Sequence, residues 1–440
     1  MTAILQRTTF TTSRLLDFAS EKELVAQTGH RREHWPYVIL KELVDNAIDA
    51  AEEAGIAPIV EVTFDESGIT VTDNAPGLPP EVVPDILDFS VRVSSREAYV
   101  SPTRGAQGNA LKTIIAMPYV IDGDRGEVEI EARGVRHLIE MRVDRIRQEP
   151  VVAHATESAD RKNGTLVRVR FPVSACSIPE DGRAHFLQIA SAYGWLNPHL
   201  RLKVTLFGEV AVDVEPTDPN WSKWKPSDPT SPHWYDAERL ERLIAGYLNH
   251  DADAGRARLV REFVAEFRGL SGTAKQKVVL DATGLARAPL SGLINGNGFD
   301  RGKVTALLAS MWEHSKPVKP KLLGIIGREH FEKKFTAAGC EMESFDHKKV
   351  LDTTDGIPWI VETAFGWCPD AKRRVLVTGV NWSPGIINPF RELGRFGKSL
   401  DTVLSQQRAN AAEPVIVVLH MTCPRVEYTD RGKSAVVVRS

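Results

Sequence analysis

Cysteine is scarce: Cys176, Cys340, Cys368 and Cys423 are the only four in 440 residues, and they form no CxxC pair and no Cys/His cluster at zinc spacing. That excludes a structural zinc site and leaves the expectation of reduced, mostly structural thiols. No apolar run approaches the roughly 20 residues needed to cross a bilayer, and 42% apolar with 26% charged residues is ordinary soluble composition. The opening MTAILQRTTFTTSR lacks the basic start, apolar core and small-residue cleavage site of a secretory signal. A cytoplasmic chain with no membrane contact is expected. Positive charge is not in excess either: at a net charge of -3, any contact with nucleic acid must come from a local patch. Repeats and low-complexity tails are also missing. What the chain has is length, too much for one ordinary domain, so two or three are expected, each with its own core.

The clearest element is PYVILKELVDNAIDAAEEAG, a helix with Pro36 in its first turn and Gly55 at its end. IVEVTFDESGITVTDN follows as two alternating β-branched runs around Glu66-Ser67-Gly68, a hairpin. A glycine-bearing loop lies within SPTRGAQGNALKTIIAMPYVI, and strands are expected at GEVEIEARG, HLIEMRVDRI and GTLVRVRFPV. Helices alternating with hairpins predict an α+β sandwich rather than a parallel doubly wound sheet. PTDPNWSKWKPSDPTSP, from about Thr217 to Pro232, reads as an interdomain connection. Residues 236 to about 317 read as short amphipathic helices. Beyond about Lys319, strands are expected at PWIVETAFGW, RRVLVTGVNW and PVIVVLHM, with a long helix from about Phe390 to Ala412 before the last.

On the helix opening at Pro36, Glu42, Asp45, Asn46 and Asp49 stand at i, i+3, i+4 and i+7 and share a face. Burying such a stripe demands a cation, water or ligand; a solvated helix surface is the plainer reading. Asp73-Asn74-Ala75-Pro76-Gly77-Leu78 sets an acid at a strand end beside a tight turn, where a carboxylate can accept from an exocyclic amine. Alone, it is a turn. Arg104-Gly105-Ala106-Gln107-Gly108-Asn109-Ala110-Leu111 opens a helical run, and small residues before a helix let backbone N–H groups approach phosphate.

In this order the motifs resemble those of the GHKL (Bergerat-fold) ATPases: ELVDNAIDA the N box, DNAPGL the adenine-reading turn, RGAQGNALK the lid, and Asn163-Gly164-Thr165 the last motif. The resemblance implies ATP and Mg2+ as ligands. It makes Glu42 the general base, Asn46 the residue that holds Mg2+, and Asp73 the adenine acceptor beside Gly77 and Thr165. Arg104, Gly105, Ala106, Gln107, Gly108, Asn109, Ala110 and Leu111 would wrap the phosphates. These roles suit phosphoryl transfer, which needs a positioned water, a divalent ion and donors for developing charge. Ala75 and Ala110 stand where the family has glycine.

The rest of the chain resembles the B subunits of the DNA topoisomerase VI (type IIB topoisomerase) family, on WLNPHLRL, PWIVETAFGW and VVLHMTCPRVEYTDRGKSAV. That implies three domains: residues 1–232, a GHKL α/β sandwich with an N-terminal strap around TTFTTSRLLDF; 233–318, a helix-two-turn-helix-like module; and 319–440, an α/β transducer of ribosomal-S5-like fold. Lys433 would be the transducer lysine that reaches the γ-phosphate; as sequence alone it is a turn lysine. The implied protein is an ATP-dependent homodimer, a clamp on duplex DNA with a separate DNA-cleaving A-type subunit or other DNA-processing protein. The long C-terminal helix that docks that subunit is not expected in this chain, and no Toprim acid cluster or active-site tyrosine motif is evident. A stand-alone GHKL switch in DNA repair or defence is the second reading. HSKPVKPK at 314–321 reads as a linker or as a phosphate contact.

Overall fold

The computed structural model describes residues 19–87, 98–104, 110–144, 146–147, 149–171, 180–391, 393, 398–429 and 435–437. After α1 (Glu21–Thr28), α2 (Trp35–Glu53) carries a broad buried stripe of Ile39, Leu40, Leu43, Val44, Ala47, Ile48 and Ala51. It stops where the sequence predicts. Gly55 adopts φ 70°, its N–H donates to Glu52 O at 3.0 Å, and the Ile56 N–H donates to Ala51 O at 2.9 Å. These are the paired bonds of a glycine-terminated helix.

β1 (Ile59–Asp65) and β2 (Gly68–Asp73) form the expected hairpin, with Asp65 opposite Gly68. The chain continues through α3 (Val82–Leu87), α4 (Ala110–Asp122), β3 (Gly126–Ala132), β4 (Val135–Asp144), β5 (Glu149–Ser158), β6 (Thr165–Arg170), α5 (Glu180–Leu196), β7 (Arg201–Leu206) and β8 (Glu209–Val214). One sheet in the order β5-β4-β3-β6-β2-β1-β7-β8 results, antiparallel except where β1 meets β7. Inward residues of its strands and of α2, α4 and α5 share one apolar core, the predicted α+β sandwich. Five of these elements, α3, β5, α5, β7 and β8, are not among those expected from the sequence. β5 is a mostly exposed edge strand with no apolar alternation, and α5 contains Gly194, where a Cβ would lie 2.9 Å from Val214 Cγ1 on β8.

A second core gathers α6 (Ala237–Asp253), α7 (Val260–Ala265), α8 (Thr273–Thr283), the short pair β9 (Ile294–Asn295) and β10 (Gly298–Phe299), and α9 (Arg301–Glu313). Trp224 and Trp234 from the proline-rich connection are buried in it, their rings 4.9 Å apart. Lys316, Lys319 and Lys321 are exposed around the buried Val318 and do not enter that core.

The last body comprises α10 (Arg328–Ala337), β11 (Glu341–Thr354), β12 (Ile357–Trp367), β13 (Val375–Val380), β14 (Ser383–Pro384), α11 (Leu400–Gln406) and β15 (Val415–Thr422). The sheet order is β11-β12-β15-β13-β14, with β13 parallel to β15. Among the described residues the long helix expected from Phe390 to Ala412 is reduced to α11. The Ser399 hydroxyl accepts from the Thr402 N–H at 3.2 Å, and Arg408 at φ 60° closes the end.

The expectation of reduced thiols is also overturned, because Cys340 and Cys368 form a disulfide. Glu341 opposes Trp367 across β11 and β12, so the antiparallel pairing brings together two cysteines 28 positions apart. Cys423 is a buried free thiol, and Cys176 lies outside the described residues. Among the described residues no helix is long and apolar enough to cross a membrane.

Candidate active site

β2 runs into Asp73, whose Oδ1 accepts from the Ala75 N–H at 2.9 Å and from the Thr165 N–H at 3.0 Å. The Gly164 N–H donates to Ala75 O at 2.7 Å, and the Leu78 N–H donates to Thr165 Oγ1 at 3.2 Å. Two loops more than 85 residues apart are thus stitched into one clasp. Glycine is required at both crossings. Gly164 holds φ 76°, and a Cβ there would sit 2.1 Å from Asp73 O; Gly77 holds φ 89° with Gly164 O at 3.0 Å from its Cβ position. Arg133 Nε donates to Gly77 O at 2.9 Å and pins the outer edge. Asn74 has a structural task, accepting from the Ile59 N–H and donating to Ala57 O, both at 2.9 Å. Burial raises the Asp73 carboxyl above its ordinary value, against the backbone donors of Thr165 and Ala75 that favour the charged form.

The acidic stripe of α2 divides in two. Asp45 and Asp49 are buried, Glu42 is half-buried, and Asn46 is exposed. Asp45 accepts from Lys41 Nζ at 2.6 Å, Ser383 Oγ at 2.7 Å and Tyr193 Oη at 2.8 Å. Burial raises the Tyr193 phenol far above its usual range, and the Asp45 charge adds to the effect. Burial alone would lower the Lys41 ammonium, but Asp45 and Glu42 outweigh it and hold it charged.

One turn further on, Asp49 and Glu52 receive Arg104 Nη1 at 2.6 and 2.7 Å, Lys223 Nζ lies 2.8 Å from Glu52, and His199 Nε2 lies 3.0 Å from Glu52. Asn197 accepts from Arg104 as well. Burial opposes ionisation of Glu52, yet Arg104 and Lys223 hold it well below the carboxylate range. At Asp49 burial wins and the carboxyl is raised.

The guanidinium of Arg104 is therefore fully buried in an ion cluster. Gly105, Ala106, Gln107, Gly108 and Asn109 lie outside the described residues; Ala110 opens α4 and Leu111 is half-buried. Lys433 and the TTFTTSRLLDF segment also lie outside them. Asp73, Gly77 and Thr165 are brought together, and Glu42 and Asn46 share one helix. Sequence reasoning missed Lys223, Glu52 and Ser383. Asn197 and His199 were visible only as letters of WLNPHLRL.

An exposed amide oxygen at Asn46 suits a hard cation that keeps most of its ligands as phosphate and water. Among the described residues no group of three or more His, Cys, Asp or Glu side chains could form an all-protein metal cage.

Residues 32–175 match the family described as Histidine kinase-, DNA gyrase B-, and HSP90-like ATPase. The B subunit of type 2 DNA topoisomerase 6 from Natronomonas pharaonis is 31% identical over 140 residues, covering 30% of this chain and 17% of that protein. The protein of the same name from Archaeoglobus fulgidus is 23% identical over 425 residues, 90% of this chain and 66% of its own length. That from Saccharolobus solfataricus is 26% identical over 430 residues, 91% and 75% respectively. The chain thus spans less than two thirds of the first two relatives, 17% and 66% of their lengths. Among solved structures, the ATPase region of Saccharomyces cerevisiae topoisomerase II matches 92% of this chain and 77% of its own at 10% identity, with a TM-score of 0.41.

Proposed function

From a chain that carries a histidine kinase-, DNA gyrase B-, and HSP90-like ATPase domain at residues 32–175, we propose an ATP-hydrolysing subunit of a type IIB topoisomerase-like complex. It closes as a homodimer on ATP and acts on duplex DNA with a separate DNA-cleaving partner. The observation that carries the ATPase reading is the clasp that brings Asp73, Gly77 and Thr165 together from distant parts of the sequence. On α2, Asp45 and Asp49 are buried, Glu42 is half-buried and Asn46, one turn beyond Glu42, is exposed.

ATP would enter with its adenine against the Asp73–Thr165 clasp, where the carboxylate accepts from the exocyclic amine. Asn46 would hold Mg2+, which supplies charge neutralisation across the phosphates when bound. Glu42 takes the proton from the attacking water, a role that requires hydrogen-bond reach and an ionised carboxylate. Donors from the residue 105–109 loop and the N-terminus of α4 meet the charge that develops on the phosphates. Lys433 would contact the γ-phosphate, and the N-terminal strap would cross to the partner protomer. Similarity to a topoisomerase 6 B subunit over 90% of the chain supports the DNA-processing context.

The test is ATP turnover with and without duplex DNA for wild type and Glu42→Ala, with oligomeric state followed on a non-hydrolysable analogue. Wild type hydrolyses ATP and dimerises on the analogue; Glu42→Ala binds the analogue but loses roughly 100-fold or more in kcat. A wild-type protein that binds no nucleotide overturns the reading.

A further inference from the structure

Asn381 and Trp382, between β13 and β14, adopt left-handed φ values of 50° and 63°. Such backbone is unfavourable for residues other than glycine and persists where surrounding contacts enforce it. Here the Trp382 N–H donates to His420 Nε2 at 3.0 Å, the Cys423 N–H donates to Asn381 Oδ1 at 2.9 Å, and Asn381 Nδ2 donates to Cys423 O at 3.0 Å. The Trp382 ring is fully buried, with Lys223 Nζ 4.8 Å from its centroid. The turn is held on its own sheet and aimed at the first body.

Its contacts fall on the elements that frame the nucleotide site. Ser383 Oγ donates to Asp45 Oδ2 at 2.7 Å and accepts from Lys41 Nζ at 2.6 Å. Asp45 lies on α2 between Glu42 and Asn46. Asn197 Nδ2 donates to Trp382 O at 2.9 Å while its Oδ1 accepts from Arg104. Asn381 Nδ2 also donates to Thr103 O at 3.4 Å, one residue before Arg104. Three successive residues therefore touch α2, the buried ion cluster and Thr103, just ahead of residues 105–109.

Resting on the ATPase reading, we infer that the Asn381–Ser383 turn positions the site for hydrolysis, with Ser383 and Asn381 fixing the rotation of α2 and the base of the phosphate loop. Neither residue touches the nucleotide. They act through Asp45, Lys41 and Thr103, so they govern alignment of Glu42 with the attacking water more than ATP affinity. A misplacement of about 1 Å at a reacting group costs on the order of 100-fold in rate.

The test uses the full chain and measures binding of a non-hydrolysable ATP analogue together with kcat and KM for Mg-ATP. Ser383→Ala removes the hydroxyl, Ser383→Thr restores it, and Asn381→Gly keeps the left-handed backbone while deleting the amide. Ser383→Ala and Asn381→Gly are expected to bind the analogue within about threefold of wild type while kcat falls roughly 10-fold or more, and Ser383→Thr to recover most of the loss. Wild-type kcat in both variants overturns the inference. So does a parallel loss of binding and turnover that threonine does not rescue, which is what simple packing would give. If Ser383→Ala fails to fold in a thermal melt, Asn381→Gly decides the matter alone. An inactive wild type instead overturns the ATPase reading, and this inference with it.

Discussion

Asp73 can be tested without disturbing its neighbours. Its Oδ1 already serves the Ala75 and Thr165 amides, and asparagine keeps one acceptor oxygen for them while replacing the other with a donor. Asp73→Asn should therefore melt within a few degrees of wild type but bind ATP at least ~10-fold more weakly, because an amine facing an amine loses a hydrogen bond worth more than ~1 kcal/mol. Calorimetric titration alongside a thermal melt separates the two effects; equal affinity would remove Asp73 from adenine recognition. The acid, the glycine and the threonine of this clasp were legible as letters. That Thr165 returns to cap Asp73 from 92 positions away was not, since no local pattern encodes which distant strand end meets which turn.

At the scale of elements, α2 was readable from its first proline to its terminal glycine, and the hairpin after it from its turn. The stripe on α2 was read as one surface because helical spacing reports which residues share a face, not what covers that face. The cover comes from Arg104, Lys223, Tyr193 and Ser383, on segments that meet only in three dimensions. Removing a buried charge partner tests this arrangement. Arg104→Met leaves Asp49 and Glu52 with Lys223 and His199 as their remaining partners, and stripping one member from a buried ion cluster typically costs ~3–5 kcal/mol. Urea unfolding followed by circular dichroism should show a loss of that size in unfolding free energy, read from the midpoint and the slope. A shift under ~1 kcal/mol would mean that water replaces the guanidinium. Among the elements that stayed hidden, β5 lacks the apolar periodicity on which sequence reading depends, whereas α5 has Phe186, Ile189, Ala190 and Tyr193 at helical spacing despite its glycines.

For the molecule as a whole, buried histidines contribute to a loss of stability in acid. Burial holds His330 and His420 down to a pKa of about 4, against an ordinary 6.5. His420 Nε2 accepts from the Trp382 N–H and can do so only while that nitrogen is unprotonated. The folded protein keeps both rings neutral, whereas the unfolded chain protonates them below pH 6.5. Stability therefore falls as pH drops from about 6.5 towards 4, each ring contributing up to ~1.4 kcal/mol per pH unit in that window. Urea midpoints measured at pH 7.5, 6 and 5 should decline, with little histidine-driven change above pH 7. A flat profile between pH 6 and 5 would contradict it. Length and composition predict two or three domains, but the buried clusters cross the expected boundaries: Ala192 and Leu196 of α5 pack with Phe331 and Phe335, and Ile360 of β12 packs with the helical residues; the Trp224 N–H also donates to Leu323 O at 2.8 Å, which no linker composition foretells.

The bond from Ser383 to Asp45 spans 338 positions of sequence. A ribosome adding ~5–20 residues per second exposes α2 on the order of 20–70 s before the serine that completes its surroundings has been made. For that interval the nascent helix carries Lys41 and Asp45 without their third partner. If Ser383 positions the site as inferred, competence for hydrolysis is a late event in the life of each molecule, and chains interrupted before residue 383 would accumulate with an assembled clasp but an α2 that lacks its serine partner.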